Sequence, residues 1–379
     1  MSRARPLVFV AILTIILSAC GIDASQLAAP PAPTVSPTEA GAASPSPSPD
    51  ASPTAPPQGP TYSKLRVFVA SENTEQVWVL EAAAPKGQFA LIGKIQVGRL
   101  PHQMAVSPDG KFVAVNNRLA DSTSIIDPVA MKELVRIKVG RQPHGITFSP
   151  DSKTLYVAHE RDNFIMRFET GTWKPLTPLI VGTPQHVLTI GTKRPNILLF
   201  TVTNSNEVDH LRAYDLETNK ITKFKVQDVH DAYYTPDQSE IWSSSSGFID
   251  KPSDRMVIYD PDTYAVKEEI RLGANHYPFH TNKPNQDGMY VMPDNGLMVL
   301  SDHKGPSLLW VDYKSRRIVF ETKGLGIQPF HTTYDPLGER LLLTTNVDGM
   351  VNVIDMNTKL VVQKIAVPQC HGIAAVGIP

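Results

Sequence analysis

The sequence predicts an all-β protein, a seven-bladed β-propeller closed by strands from its N- and C-terminal ends and preceded by a disordered tether. Three observations predict it. A unit of about 40 to 50 residues recurs from Ser63 onward, a spacing typical of four-stranded propeller blades. Each copy alternates apolar and polar residues over strand lengths, with tight-turn residues between. Two incomplete copies, one at each end of the domain, add up to one whole.

The N-terminus carries an address rather than a fold. Arg3 and Arg5 precede an apolar run from Leu7 to Leu17, too short to span a bilayer comfortably, so residues 1–19 are an expected export signal. The run ends in Leu17-Ser18-Ala19-Cys20. This resembles the lipobox of bacterial lipoproteins, and the resemblance implies cleavage before Cys20, acylation of its thiol, and an extracytoplasmic protein lipid-anchored to the bacterial membrane, periplasmic or at the cell surface. Residues 20–60 are Ala, Pro, Ser and Thr with few large apolar side chains, and they hold many of the chain's 33 prolines. Such a stretch cannot bury enough surface to offset its ordering entropy, and it is expected to be a disordered linker.

Residues 61–379 hold the repeat. One copy runs Val97-Gly98, Pro101-His102, a Ser107-Pro108-Asp109-Gly110 turn, a strand from Phe112, and Ile125-Ile126-Asp127. The next runs Val139-Gly140, Pro143-His144, Ser149-Pro150-Asp151-Ser152, Leu155 to His159, and Phe168-Glu169. An acidic residue closes the third strand in six copies, Asp127, Glu169, Asp215, Asp260, Asp312 and Asp355. The domain opens on Leu65 to Ser71, a second strand lacking a first, and ends on Cys370-His371-Gly372-Ile373-Ala374, a first strand lacking a second. Pairing them closes the ring and removes the sheet edges an open array would expose. The Pro-His-Gly-Ile, Ser-Pro-Asp and Leu155-Tyr156-Val157-Ala158 segments resemble the YVTN-type β-propeller repeat family. That resemblance implies the fold and leaves function to the site.

The site candidates come from position. The residue after the proline that starts each inner strand, or its equivalent, is His102, His144, His186, His230, His280, His331 or His371, one from each of seven blades. Inner strands line the channel, so the rings are expected to gather at one face. Imidazole is a common ligand of copper and zinc, which makes a transition metal the expected cofactor. Packing histidines inherited by blade duplication would give the same pattern, and so would imidazoles that bind a substrate or anion directly. Cys370, His303 and His159 are accessory candidates, as are the segments after the second strands: Glu72-Asn73, Asn116-Asn117-Arg118 and His159-Glu160-Arg161. Pro293 to Pro306 reads as an excursion of lid type.

Three functions stay open: a metal-holding lipoprotein, a metal-free interaction scaffold with an envelope partner, and a copper- or haem-dependent oxidoreductase needing a separate electron partner. The last rests on resemblance to nitrous oxide reductase and to the haem domain of nitrite reductases, and no Cys-x-x-Cys-His is present to attach a haem. Catalytic residues are unknown. A net charge of -1 without a basic patch disfavours nucleic acid. No Gly-x-Ser-x-Gly elbow or phosphate-cradling loop supports a classical hydrolase or nucleotide enzyme.

Overall fold

A computed structural model describes residues 62–202, 209–226, 229–244, 253–281 and 294–379. Cys20, the export signal, the Pro-rich linker and the turn residue Asp287 lie outside the described residues, as does the side chain of His280.

The described chain forms seven four-stranded antiparallel sheets, each running from an inner to an outer strand, and together they make a seven-bladed propeller. The inner strands are Cys370–Ile378 (blade 1), Pro101–Val106 (blade 2), Pro143–Phe148 (blade 3), Gln185–Gly191 (blade 4), Ala232–Tyr234 (blade 5), Pro278–Thr281 (blade 6) and Pro329–Asp335 (blade 7). Blade 1 is the composite: Cys370–Ile378 pairs with Lys64–Ser71, in register from Lys64 opposite Ile378. Among the described residues the only helical turn is Glu72–Thr74.

Strand alternation explains how the blades cohere. In Lys64–Ser71, Val67 and Val69 face blade 7 and join Leu342, Val351 and Val353, while Phe68 and Ala70 face blade 2 and join Val106, Val113 and Val115. Side chains of period two serve two different interfaces. The same division recurs around the ring, so the core is a series of blade-to-blade layers, each closed by its neighbour. The seam at blade 1 has an added clasp. Buried Asp335 of blade 7 accepts from Arg340 at 2.7 Å and from Tyr62 Oη at 3.0 Å, and Arg340 reaches the Gly87 carbonyl of blade 1 at 2.6 Å.

The acidic residues closing the third strands act as turn acceptors. Asp127 Oδ1 accepts the amides of Val129 and Ala130, and Asp355 Oδ1 those of Asn357 and Thr358. This geometry suits an Asx turn, which is why a short acidic side chain recurs there. The expected excursion from Pro293 to Pro306 is corrected by the structure: Leu297–Asp302 is the second strand of blade 6, and a short turn joins it to Ser307–Asp312. Leu297–Asp302 pairs along its whole length with Ser307–Asp312 and through residues 300–302 with Pro278–Thr281, and burial between blades overrides the loop reading.

Candidate metal centre at the channel face

Four inner strands, those of blades 1, 2, 3 and 7, start with a sharp turn and a bulge, and blade 4 has the bulge without that turn. The residue before the strand takes left-handed backbone at Leu100, Gln142, Gln328 and Gln369, with φ of 53°, 50°, 57° and 46°. Its carbonyl, or that of a near neighbour, is held by the amide just after the second strand of the same blade. These bonds are Arg118 N to Leu100 O (2.9 Å), Glu160 N to Gln142 O (3.0 Å) and Asn346 N to Gln328 O (3.1 Å). The pairing register then slips between Pro101 and Met104, Pro143 and Ile146, Gln185 and Leu188, and Pro329 and Thr332. Two residues oppose one, a bulge that re-aims a side chain. The first bulge residue in blades 2, 3 and 4 is the histidine.

Of the six described rings, five are buried at 4% to 8% exposure and touch in sequence: His371, His102, His144, His186 and His230, with the half-buried His331 beside His371. Their contacts alternate. His371 stacks on His102 and His144 on His186, each with centroids 3.7 Å apart. His102 meets His144 edge-on at 4.6 Å, His186 meets His230 at 4.7 Å, and His331 meets His371 at 4.8 Å.

Small residues cause the alternation. The histidine is followed by glycine in blades 1 and 3, and the residue opposite the bulge is Ala70 or Ala158. A Cβ on Gly372 would stand 2.2 Å from the His102 carbonyl oxygen, and one on Gly145 would stand 2.6 Å from that of His186. Elsewhere a polar residue opposite the bulge bonds the next blade's strand start, as Asn116 Nδ2 does to His144 O (2.8 Å), Thr201 Oγ1 to His230 O (3.0 Å) and Thr344 Oγ1 to His371 O (2.7 Å).

At the edge-on contacts nitrogens face each other: His102 Nε2 lies 2.9 Å from His144 Nε2, and His186 Nε2 lies 3.0 Å from His230 Nε2. The opposite nitrogens are engaged. His102 Nδ1 meets Glu72 Oε1 at 2.6 Å, His186 Nδ1 meets Glu160 Oε1 at 3.0 Å, and His144 Nδ1 meets the His186 carbonyl at 3.0 Å. Burial drives the His102 imidazole down to about 3, with the Arg118 charge adding to it, and burial likewise holds His144 well below the ordinary histidine range. Burial pushes Glu160 up, but its bonds from His186 and Arg118 outweigh that and hold its carboxyl at about 2. Glu72, His102 and His371 form one group with ligand atoms within 4.8 Å of one another, and His144, Glu160 and His186 form another. His371 Nδ1 is buried with no partner among the described residues.

The propeller and the site geometry invite comparison with known proteins. The sequence pattern of the YNCE-like beta-propeller family matches residues 40–238. The chain belongs to the YNCE-like β-propeller family. No curated protein matches this YNCE-like propeller. Among solved structures it is similar to hydrazine synthase of Kuenenia stuttgartiensis, at 17% identity and a TM-score of 0.60, over 76% of this chain and 94% of that one. It is also similar to the dihydro-heme d1 dehydrogenase NirN in complex with DHE, at 14% identity and a TM-score of 0.57, over 84% and 83%. A third is apo AztD from Citrobacter koseri, at 14% identity and a TM-score of 0.56, over 83% and 98%. At such identities the likeness shows the fold alone.

The accessory candidates fall outside the ring. Cys370 is fully buried, its thiol donates to the carbonyls of Thr345 and Met350 at 3.3 Å, and burial pushes its pKa up to about 12. His159 Nδ1 bonds Phe164 O at 3.0 Å, and its Nε2 accepts the Gly140 amide at 3.0 Å, a role in blade packing. His303 Nε2 donates to Pro329 O at 2.8 Å. The carboxylates Glu72 and Glu160, by contrast, are integral, and their shared position one residue after a second strand is the signal that finds them. The pairing of His276 Nδ1 with buried Asp302 at 2.7 Å, beside a cavity of about 530 Å³ lined also by Arg271 and Lys304, has no signal in the repeat.

Proposed function

We propose that this propeller holds a first-row transition metal, copper or zinc, at the histidine face, with Nε2 of His102 and His144 as its first pair of ligands. The facing of those two nitrogens at 2.9 Å carries the reading. A carboxylate and a carbonyl only accept, so Glu72 and the His186 carbonyl each fix a proton on the Nδ1 they meet. Each neutral ring then turns its Nε2 lone pair toward the other, and two lone pairs at this distance need a positive centre between them, a shared proton or a metal ion, of which burial disfavours the proton. Tetrahedral zinc with bonds of about 2.0–2.1 Å sets its nitrogens roughly 3.3 Å apart, so the pair opens by a few tenths of an ångström to seat an ion. The carboxylate behind His102 is the usual partner of a metal-bound imidazole, fixing its tautomer and raising its basicity. Stacked His371, with its unpartnered Nδ1, stands ready as a further donor. The all-imidazole ring suits copper or zinc better than magnesium or calcium, which take oxygen ligands.

The role that fits is metal holding by an extracytoplasmic lipoprotein, tethered through Cys20 and the Pro-rich linker. The experiment is elemental analysis of the full-length protein after dialysis against zinc or copper, beside a His102→Ala, His144→Ala double variant that retains its fold by circular dichroism. Stoichiometric metal lost in the variant supports the reading. No metal retained by the wild-type protein overturns it and leaves the metal-free scaffold.

A further inference from the structure

The carboxylate–imidazole–imidazole arrangement at the channel face occurs twice, two blades apart. In the first copy Glu72, one residue beyond the second strand of blade 1, bonds His102 of blade 2, whose Nε2 faces His144 of blade 3. In the second, Glu160, one residue beyond the second strand of blade 3, bonds His186 of blade 4, whose Nε2 faces His230 of blade 5 at 3.0 Å. Both carboxylate-bearing blades also carry the His-Gly pair whose ring stacks on the carboxylate-bound histidine, at 3.7 Å in each case. The two facing pairs use different nitrogens, so one can fill without emptying the other.

One feature breaks the equivalence, and it lies on the second oxygen of each carboxylate. Glu72 Oε2 accepts from the neutral amide of Asn346 at 3.2 Å. Glu160 Oε2 accepts from Arg118 Nε at 2.8 Å and also from its Nη2. Asn346 and Arg118 occupy the same place, one residue past the second strand of the preceding blade. Bound to Glu160, the guanidinium neutralises that carboxylate and draws its electron density away from the His186 imidazole, whereas the neutral Asn346 amide leaves the Glu72 charge in place behind His102.

We infer that the face takes two metal ions, a tighter one between His102 and His144 and a weaker one between His186 and His230, with Arg118 setting the difference. The inference rests on the metal reading above and adds its stoichiometry and order of filling. Arg118 is a positioning residue here, acting through Glu160.

The test is a zinc titration of the metal-stripped full-length protein followed by calorimetry, repeated with Arg118→Gln and with His186→Ala, each checked for native melting and repeated with copper. The expected result is two equivalents in two steps. Arg118→Gln should tighten the second step about tenfold or more while moving the first by less, and His186→Ala should abolish the second step alone. A single equivalent, unaffected by His186→Ala and lost in the His102→Ala, His144→Ala variant, overturns the two-ion inference and leaves the metal reading intact. Two steps with unchanged spacing in Arg118→Gln overturn the assignment to Arg118. No binding by any form overturns both readings. The Arg118→Gln arm has a second readout, because loss of fold would weaken both steps whereas loss of the charge strengthens one.

Discussion

A Cβ on Gly145 would lie 2.6 Å from the carbonyl oxygen of His186, and the His144 ring stacks on that of His186 at 3.7 Å. The missing side chain lets blade 4 approach blade 3 closely enough for its imidazole to lie flat on its neighbour. Gly145→Ala therefore pushes backbone against backbone. A loss of about 1–3 kcal/mol is expected, as for overpacking in a tight interior, together with weaker metal retention. Denaturant unfolding and metal content read the two effects, and an alanine variant with wild-type values in both would refute this account of the stacking.

Closure of the ring depends on the last strand. Deleting residues after Pro368 removes Cys370–Ile378, which supplies the inner strand of blade 1 and Ile373, Ala374, Ala375 and Val376 to the layers on its two sides. The exposed edge of Lys64–Ser71 should then pair between molecules. Size-exclusion chromatography should show aggregation and calorimetry a lower or lost melting transition. A monomer with unchanged melting contradicts the closure.

The Asp335–Arg340 clasp is a buried ion pair, and breaking one side of it is costlier than removing both. Arg340→Met strands a carboxylate that is 1% exposed, with a loss of about 3–5 kcal/mol expected. Asp335→Asn in the same chain should restore part of it. Equal stability of the single and double variants would argue against a desolvated charge at the seam.

Acid sensitivity should arise in part between blades 5 and 6. Burial pushes Glu240 up, but bonds from Arg316 at 2.8 Å, Trp242 at 3.0 Å and Lys267 at 2.9 Å prevail and hold its carboxyl below the ordinary range. A folded-state value below the unfolded one, about 4.3, means stability that is fully present above that pH and is lost as pH falls through the lowered value. Glu240→Gln should thus be less stable than wild type at pH 7, with the gap narrowing toward pH 3 in urea unfolding. A gap that holds or widens in acid would contradict the linkage.

Cys370 should be silent in the native state. With its thiol buried and pushed up to about 12, a Cys20→Ser chain is expected to show no reaction with a thiol reagent at pH 8 until it is unfolded, then one equivalent. Rapid native labelling would place the sulfur at the surface.

The blade repeat, the composite blade and the histidine positions were legible in the chain because each is a local pattern. Alternation names the two faces of a strand, a Pro-Asp-Gly turn names its end, and a shared offset from a proline names a shared place on the ring. The exchange between Leu65–Ser71 and Cys370–Ala374 was legible too, since two half-units can only complete each other. The strand hidden in Pro293 to Pro306 was not, because only the neighbouring blades decide which residues they cover.

The sequence by itself determined the all-β propeller, its seven blades and one histidine in each. Tertiary structure alone decided which way the rings turn, that they meet alternately face-on and edge-on, and that Glu72 bonds His102 while Glu160 bonds both His186 and Arg118. Those relations lie between blades some 40 residues apart. They depend on how closely two backbones approach at Gly145 and Gly372 and on where a bulge aims a side chain, quantities fixed by packing across an interface and carried by no single stretch of chain.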